Sequence, residues 1–131
     1  MQLCDTNILS ELIRRQPNPG VLAWADGMRT LAISAVTLDE LVYGLAWRPV
    51  PRIVAWLDRF LADHCEIVPI TAEVARVSGQ LRGLFRASGD NRSQADMMIA
   101  ATAKVHGYTL VTRNVRDFEG CGIVVLNPFR E

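Results

Sequence analysis

The sequence lacks a net charge: 14 acidic residues face 14 basic ones, so no overall basic field announces a nucleic-acid partner. Zero net charge also means weak self-repulsion, which permits association. Cysteine is scarce and odd in number, with only Cys4, Cys65 and Cys121. No CxxC or Cys/His cluster has zinc spacing, and the usage fits a reducing, cytosolic context. Cys4, in an apolar stretch, reads as a buried inert thiol. No run reaches the roughly 18 apolar residues a membrane span needs. Asp5 and Asn7 interrupt any early apolar run, which argues against a signal peptide. Repeats, low-complexity runs and disordered tails are also absent, and the connections are short enough for a compact unit.

What is present is a chain of 131 residues, 50% hydrophobic and 21% charged. That length reads as one domain, residues 1–131, able to bury roughly two-thirds of its unfolded surface without staples. The apolar fraction is high for this size and points to oligomerisation.

The pattern begins with Leu3-Cys4, a very short strand, running into Asp5-Thr6-Asn7 and a helix to about Ile13. Pro17, Pro19 and Gly20 end that helix, and a second short one covers Val21 to Ala25. Leu31-Ala32-Ile33 is a strand. Ser34 to Leu45 is helical, with Leu38, Leu41, Val42 and Leu45 at i, i+3, i+4, i+7 spacing. Ile53 to Leu61 is a helix with Trp56, Leu57, Phe60 and Leu61 on its apolar side. Glu66 to Ile70 is a strand, where Pro69 argues for an edge or a strand end. Thr71 caps a long helix bearing Val74, Val77, Leu81, Leu84 and Phe85, with Arg82 and Arg86 together on one side. Ser93 opens the helix Gln94 to His106, closed by Gly107. Thr109-Leu110-Val111 and Ile123-Val124-Val125 are strands, separated by a loop with one helical turn. Short, continuously apolar strands alternating with helices mark an α/β fold, a parallel sheet covered on both faces.

Four carboxylates recur just after a strand or early in a helix: Asp5, Glu40, Asp96 and Asp117. Each alone has a commoner explanation as a helix cap. Asp5 can cap the first helix, Thr37-x-x-Glu40 and Ser93-x-x-Asp96 match capping boxes, and Asp117 can cap the turn at Phe118. Asp96 strains this explanation, because its helical face continues through Ile99, Ala100 and Ala103, small residues suited to close packing on a sheet. A carboxylate there is partly buried and needs compensation, from Arg92 or from a metal ion. Periodicity does not choose Glu40 over Asp39.

In a parallel sheet the four would meet at the carboxyl edge, where ligands bind. Two bare carboxylates ~4 Å apart repel by about 4 kcal/mol at an effective dielectric of 20, and a divalent cation relieves this far better than a helix terminus does. Oxygen ligands without His or Cys select Mg²⁺ or Mn²⁺. Thr6, Asn7, Thr112 and Asn114 stand beside the acids and suit orienting them.

In order along the chain stand Cys4-Asp5-Thr6-Asn7, Glu40-Leu41-Val42-Tyr43-Gly44, Ala95-Asp96-Met97-Met98-Ile99-Ala100-Ala101 and Leu110-Val111-Thr112-Arg113-Asn114-Val115-Arg116-Asp117-Phe118. This pattern resembles the PIN-domain ribonucleases, specifically the VapC toxins of type II toxin–antitoxin pairs and their FitB-like branch, over essentially the whole chain. The resemblance implies a three-layer α/β/α PIN domain with a mainly parallel, about five-stranded sheet. It implies a Mg²⁺- or Mn²⁺-dependent endoribonuclease. Asp5, Glu40, Asp96 and Asp117 would be its catalytic and metal-binding residues, which selects Glu40 over Asp39. Thr112 would support the acids; Asn114, where some relatives carry an acid, implies one tight metal and a weak second. A cognate VapB- or FitA-like antitoxin, with its tail over the acids, is the implied partner. We expect a homodimer, extending to a dimer of dimers with the antitoxin.

Phosphate contacts are expected from Arg86, Arg92, Arg113 and Arg116. Trp24, Trp47 and Trp56, being helical, fit core or subunit packing better than base stacking. A ribonuclease working through the ribose 2′-OH needs His or Lys as acid and base; His106 sits at a helix end and His64 in no motif. One competing reading is a Mg²⁺-dependent phosphatase or phosphoacceptor using Asp5, which wants a late lysine where the chain offers only Lys104. Another is a non-catalytic nucleic-acid or protein binding module, which has no reason to keep four repelling acids.

Overall fold

The computed structural model describes residues 1–131. Its elements run β1 (Gln2–Cys4), α1 (Thr6–Ile13), α2 (Pro19–Asp26), β2 (Leu31–Ser34), α3 (Ala35–Trp47), α4 (Pro51–His64), β3 (Cys65–Val68), α5 (Ala72–Ala87), α6 (Gln94–His106), β4 (Thr109–Val111) and β5 (Val125–Leu126). A 3₁₀ turn, Val115–Phe118, lies between the last two strands. All strand pairs are parallel, in the order β3-β2-β1-β4-β5. β3 is an edge strand and starts and stops earlier than the expected Glu66 to Ile70, with Pro69 lying just past its end at Val68.

Side-chain alternation along these short strands divides the core in two. Leu3, Ala32 and Leu110 point to one face and pack with Met97, Ile99, Ala100, Ala103 and Phe118 under α5 and α6. Cys4, Leu31, Ile33 and Val111 point to the other and pack with Ile8, Leu9, Val21, Leu41 and Leu57 under α1 to α4. The three cysteines are free, and Cys4 and Cys121 are buried. No helix is long and apolar enough to cross a membrane.

The structure moves several expected boundaries. Pro19 and Gly20 do not merely end α1; Pro19 opens α2, with Asn18 as its cap, because proline suits the first helical position. The last strand shifts to Val125–Leu126. Ser34 caps α3 by accepting from the Val36 N–H, so Thr37-x-x-Glu40 is not a capping box and Glu40 stands in the second turn. Asp117 caps nothing; it lies inside the 3₁₀ turn. Val42 and Leu84, read as core-facing, are 52% and 71% exposed.

The chain leaves β1 toward β2 and β3, then returns to the opposite side of β1 for β4 and β5. The reversal lies between β1 and β4, and a crevice opens at their carboxyl ends. Asp5 follows β1 there, its N–H donating to the Val111 carbonyl at 2.9 Å. Thr112 follows β4.

Candidate functional site

Asp5 is 6% exposed and sits at the floor of a cavity of about 450 Å³. The same cavity is lined by Thr6, Asn7, Ser10, Glu11, Glu40, Asp96 and Asn114, with Arg14, Arg113 and Phe129 at its rim. Asp5 does cap α1, taking the Thr6 N–H at 2.8 Å on Oδ1. Its other oxygen, Oδ2, accepts from the Thr112 hydroxyl at 2.8 Å and the Asn7 amide at 3.2 Å. Asn7 also reaches Thr112 Oγ1 at 3.2 Å, and its Oδ1 takes the Arg113 N–H at 3.1 Å. Thr112 Oγ1 further accepts from the Asn114 N–H at 3.0 Å. Three residues after β1 and three after β4 therefore form one closed network around a single carboxylate.

Thr6 points the other way. Its hydroxyl donates to Glu40 Oε1 at 3.0 Å, tying α3 to the α1 terminus. This is the geometric distinction between Glu40 and Asp39, both of them exposed: Glu40 lines the cavity and Asp39 does not. Asp96 enters from the first turn of α6, whose Ser93 cap takes the Asp96 N–H at 3.0 Å.

The electrostatics are those of crowded acids. Burial pushes the Asp5 carboxyl up; the Thr112, Thr6 and Asn7 donors oppose this, and the Asp117 charge adds to it. Burial also raises Asp96; its Ser93 contact opposes the rise, and the charges of Asp5, Asp117 and Glu40 reinforce it. Asp96 is thus within electrostatic reach of the other three acids, and Asp5 of Asp117. Asp117 is exposed, however, and does not line the cavity. As placed, no three carboxylates form a ready cation cage. The donor set is all-oxygen and none of the four acids is in an ion pair, a chemistry that suits a hard divalent cation.

Arg92 does not neutralise Asp96 and is not free for phosphate. Its Nε binds Asp90 at 2.9 Å, its two terminal nitrogens donate to the carbonyls of Asp117 and Glu119 at 2.9 and 3.0 Å, and it lies 4.0 Å over the Phe85 ring. It braces the turn that carries Asp117. Arg86 lines a separate polar hollow with Arg82 and Asn91; Arg116 is exposed and does not line the acids' cavity. Of the four expected phosphate contacts, only Arg113 reaches the acids' cavity. Trp56 stacks on Phe60 at 4.9 Å and Trp24 donates to Gln2 at 2.7 Å, whereas Trp47 is 71% exposed.

Sequence reading missed Ser10, Glu11 and Phe129. Glu11 is buried, taking the Asn18 N–H at 2.7 Å and Arg14 at 3.1 and 3.2 Å. Burial works to raise its carboxyl, but these donors outweigh it and hold Glu11 below the usual carboxylate range. The signal was available: Glu11 lies three residues after Ile8 on the buried helix face, with Arg14 three further on. Phe129 had no such signal.

A five-stranded parallel sheet of this order, with acids gathered where β1 and β4 end, places the chain in a defined class. It belongs to the PIN domain family, which it matches over residues 3–120. Among its relatives, the VapC ribonuclease Y4jK of Sinorhizobium fredii is 34% identical, with 98% of each chain covered. Toxin FitB of Neisseria gonorrhoeae is 34% identical over the full length of both. The crystal structure of FitAcB from that organism matches with a TM-score of 0.84, 34% identity and 98% of each chain covered. A toxin–antitoxin complex from Klebsiella pneumoniae matches at 28% identity and a TM-score of 0.76, with both chains fully covered.

Proposed function

We propose that this protein is a Mg²⁺- or Mn²⁺-dependent endoribonuclease toxin, held inactive by a cognate antitoxin. The observation that carries the reading is the uncompensated cluster of Asp5, Asp96 and Glu40 in one polar cavity, with the Asp117 charge beside it. The ribonuclease and toxin relatives agree with it.

Asp5, Asp96 and Asp117 would hold the cation, with Glu40 reaching it through water. When bound, the cation supplies charge relief on the phosphodiester and a more acidic water. Asp5 is aimed by Thr112, Asn7 and the Thr6 N–H, whose donors favour its charged form against burial. Thr6 holds Glu40 by one oxygen, leaving the other to accept a proton from an attacking water. Arg113 faces the substrate phosphates from the rim.

An apolar groove of about 300 Å³ between α1, α3 and α4 adjoins the acids and shares Thr6, Ser10 and Glu40 with them. It suits an amphipathic antitoxin segment whose following Arg reaches the carboxylates. Exposed Tyr43, Trp47, Val50 and Val54 supply apolar surface for a homodimer or for the antitoxin.

The test is cleavage of structured RNA by purified, antitoxin-free protein with Mg²⁺ or Mn²⁺. Cutting that vanishes on chelation and in Asp5→Asn is the expected result. Absence of cutting by the wild type under both metals would sink the reading.

A further inference from the structure

Two cations, Arg14 and Arg113, line the acids' cavity. Arg14 is spent on buried Glu11, so Arg113 is the one left to meet a phosphate. An exposed arginine on a loop has many rotamers, and aiming it requires something to lean on. The segment after β5 provides this. Asn18 clamps its backbone, with Nδ2 donating to the Arg130 carbonyl at 2.8 Å and Oδ1 accepting the Arg130 N–H at 3.0 Å. The clamp is tight: a Cβ on Gly20 would collide with the Pro128 carbonyl and stand 2.7 Å from Arg130 Cγ. Phe129 is thereby set against the α1–α4 core cluster with its ring at the cavity rim. The Arg113 guanidinium lies over that ring, 4.7 Å from its centre, and 3.7 Å from Glu131. The Arg113 N–H is fixed on Asn7, so both ends of the residue are held.

We propose that residues 127–131 are a positioning strap, with Phe129 as its positioning residue. The strap presents Arg113 to an RNA phosphate flanking the one cut. Phe129 touches no reacting atom; it acts by offering a flat face that orients the guanidinium without consuming its hydrogen-bond donors. Glu131, exposed and paired with Arg113 only loosely at 3.7 Å, is displaced when phosphate arrives. This inference rests on the nuclease reading for its substrate class.

The experiment measures affinity for a phosphorothioate RNA 12-mer, resistant to cleavage, in Mg²⁺ at several KCl concentrations. Arg113→Ala should weaken binding about tenfold and lower the log–log salt slope by about 0.7, one single-strand phosphate. Phe129→Ala, Phe129→Leu and Gly20→Ala should each weaken it roughly three- to tenfold, yet add less than about twofold on top of Arg113→Ala, because they act through it. Phe129→Leu keeps the apolar packing, and Gly20→Ala lifts the strap while favouring the helix; wild-type circular dichroism in either guards against unfolding. In cleavage assays KM should rise with kcat within about twofold of wild type. Strap variants that leave affinity and salt slope unchanged overturn the proposal, as do effects that add fully to Arg113→Ala. A wild type that binds the 12-mer but cuts no RNA overturns the nuclease reading alone.

Discussion

Asp5 has two duties that conflict. As a helix cap and hydrogen-bond acceptor it prefers to be ionised, while its burial beside other acids opposes ionisation. In metal-free protein the opposition wins, and the sign of the pH dependence follows. A carboxyl raised in the folded state gives stability that is full below its unfolded pKa and lost as pH rises through the folded value. Asp5 and Asp96 both belong to that class; Glu11 has the opposite sign, its contribution being lost on acidification. Asp5→Asn should therefore abolish RNA cleavage, by about a hundredfold or more, while raising the metal-free melting temperature where wild-type Asp5 is ionised, by about 3–5 °C per kcal/mol regained. Glu40→Gln should lower kcat by about 10²-fold, and Asp39→Asn should leave it near wild type; equal effects would return Glu40 to the ambiguity of its helical wheel. Thr112→Val removes the hub of the network and should cost about 1–3 kcal/mol in denaturant unfolding, with metal affinity falling as Asp5 loses its aim.

At the scale of elements, the sequence was most legible where one local rule decided. Gly107 takes φ +69° at the end of α6, and Ser93 and Thr71 cap as their positions suggest. Rules failed where two candidates competed within three residues: Ser34 rather than Thr37 caps α3, because the chain turns at the end of β2. Apolar spacing overcounted the core at Val42 and Leu84, since periodicity cannot tell a core stripe from surface awaiting another chain. The carboxylates Asp5, Glu40 and Asp96 do share one cavity, but two of the three acceptors of Arg92 were unreadable: beside Asp90 they are main-chain carbonyls, which leave no mark in sequence. That arginine gives the prediction for its element. Arg92→Ala should cost about 2 kcal/mol of stability, chiefly through the two charge-assisted bonds lost to the turn's carbonyls. It should also weaken divalent-metal binding measured by calorimetry, because the turn holding Asp117 loosens. Arg92→Ala with unchanged metal affinity would mean that Asp117 contributes charge but no ligand.

For the whole molecule, the proposed cation is a folding ligand as well as a cofactor. Mg²⁺ at about 100 times its dissociation constant should add about 2.7 kcal/mol to unfolding, seen as a melting temperature that rises with metal and falls on chelation. Asp5→Asn should lose that response. Free of antitoxin, the protein should sediment as a dimer at micromolar concentration; a monomer throughout would assign the exposed Tyr43 and Trp47 surface to the antitoxin alone.

The bond between Thr112 and Asp5 spans a sequence separation of 107 residues, and β1 is held on one side by β4 through Leu3 and Leu110. During synthesis the first of these residues leaves the ribosome many seconds before the last, at about 5–20 residues per second. Until β4 arrives, Asp5 has neither its strand neighbour nor its orienting hydroxyl. On the proposed reading, the cutting edge is therefore assembled only once β4 has been made, and until then the growing chain is unarmed beside the RNAs that make it.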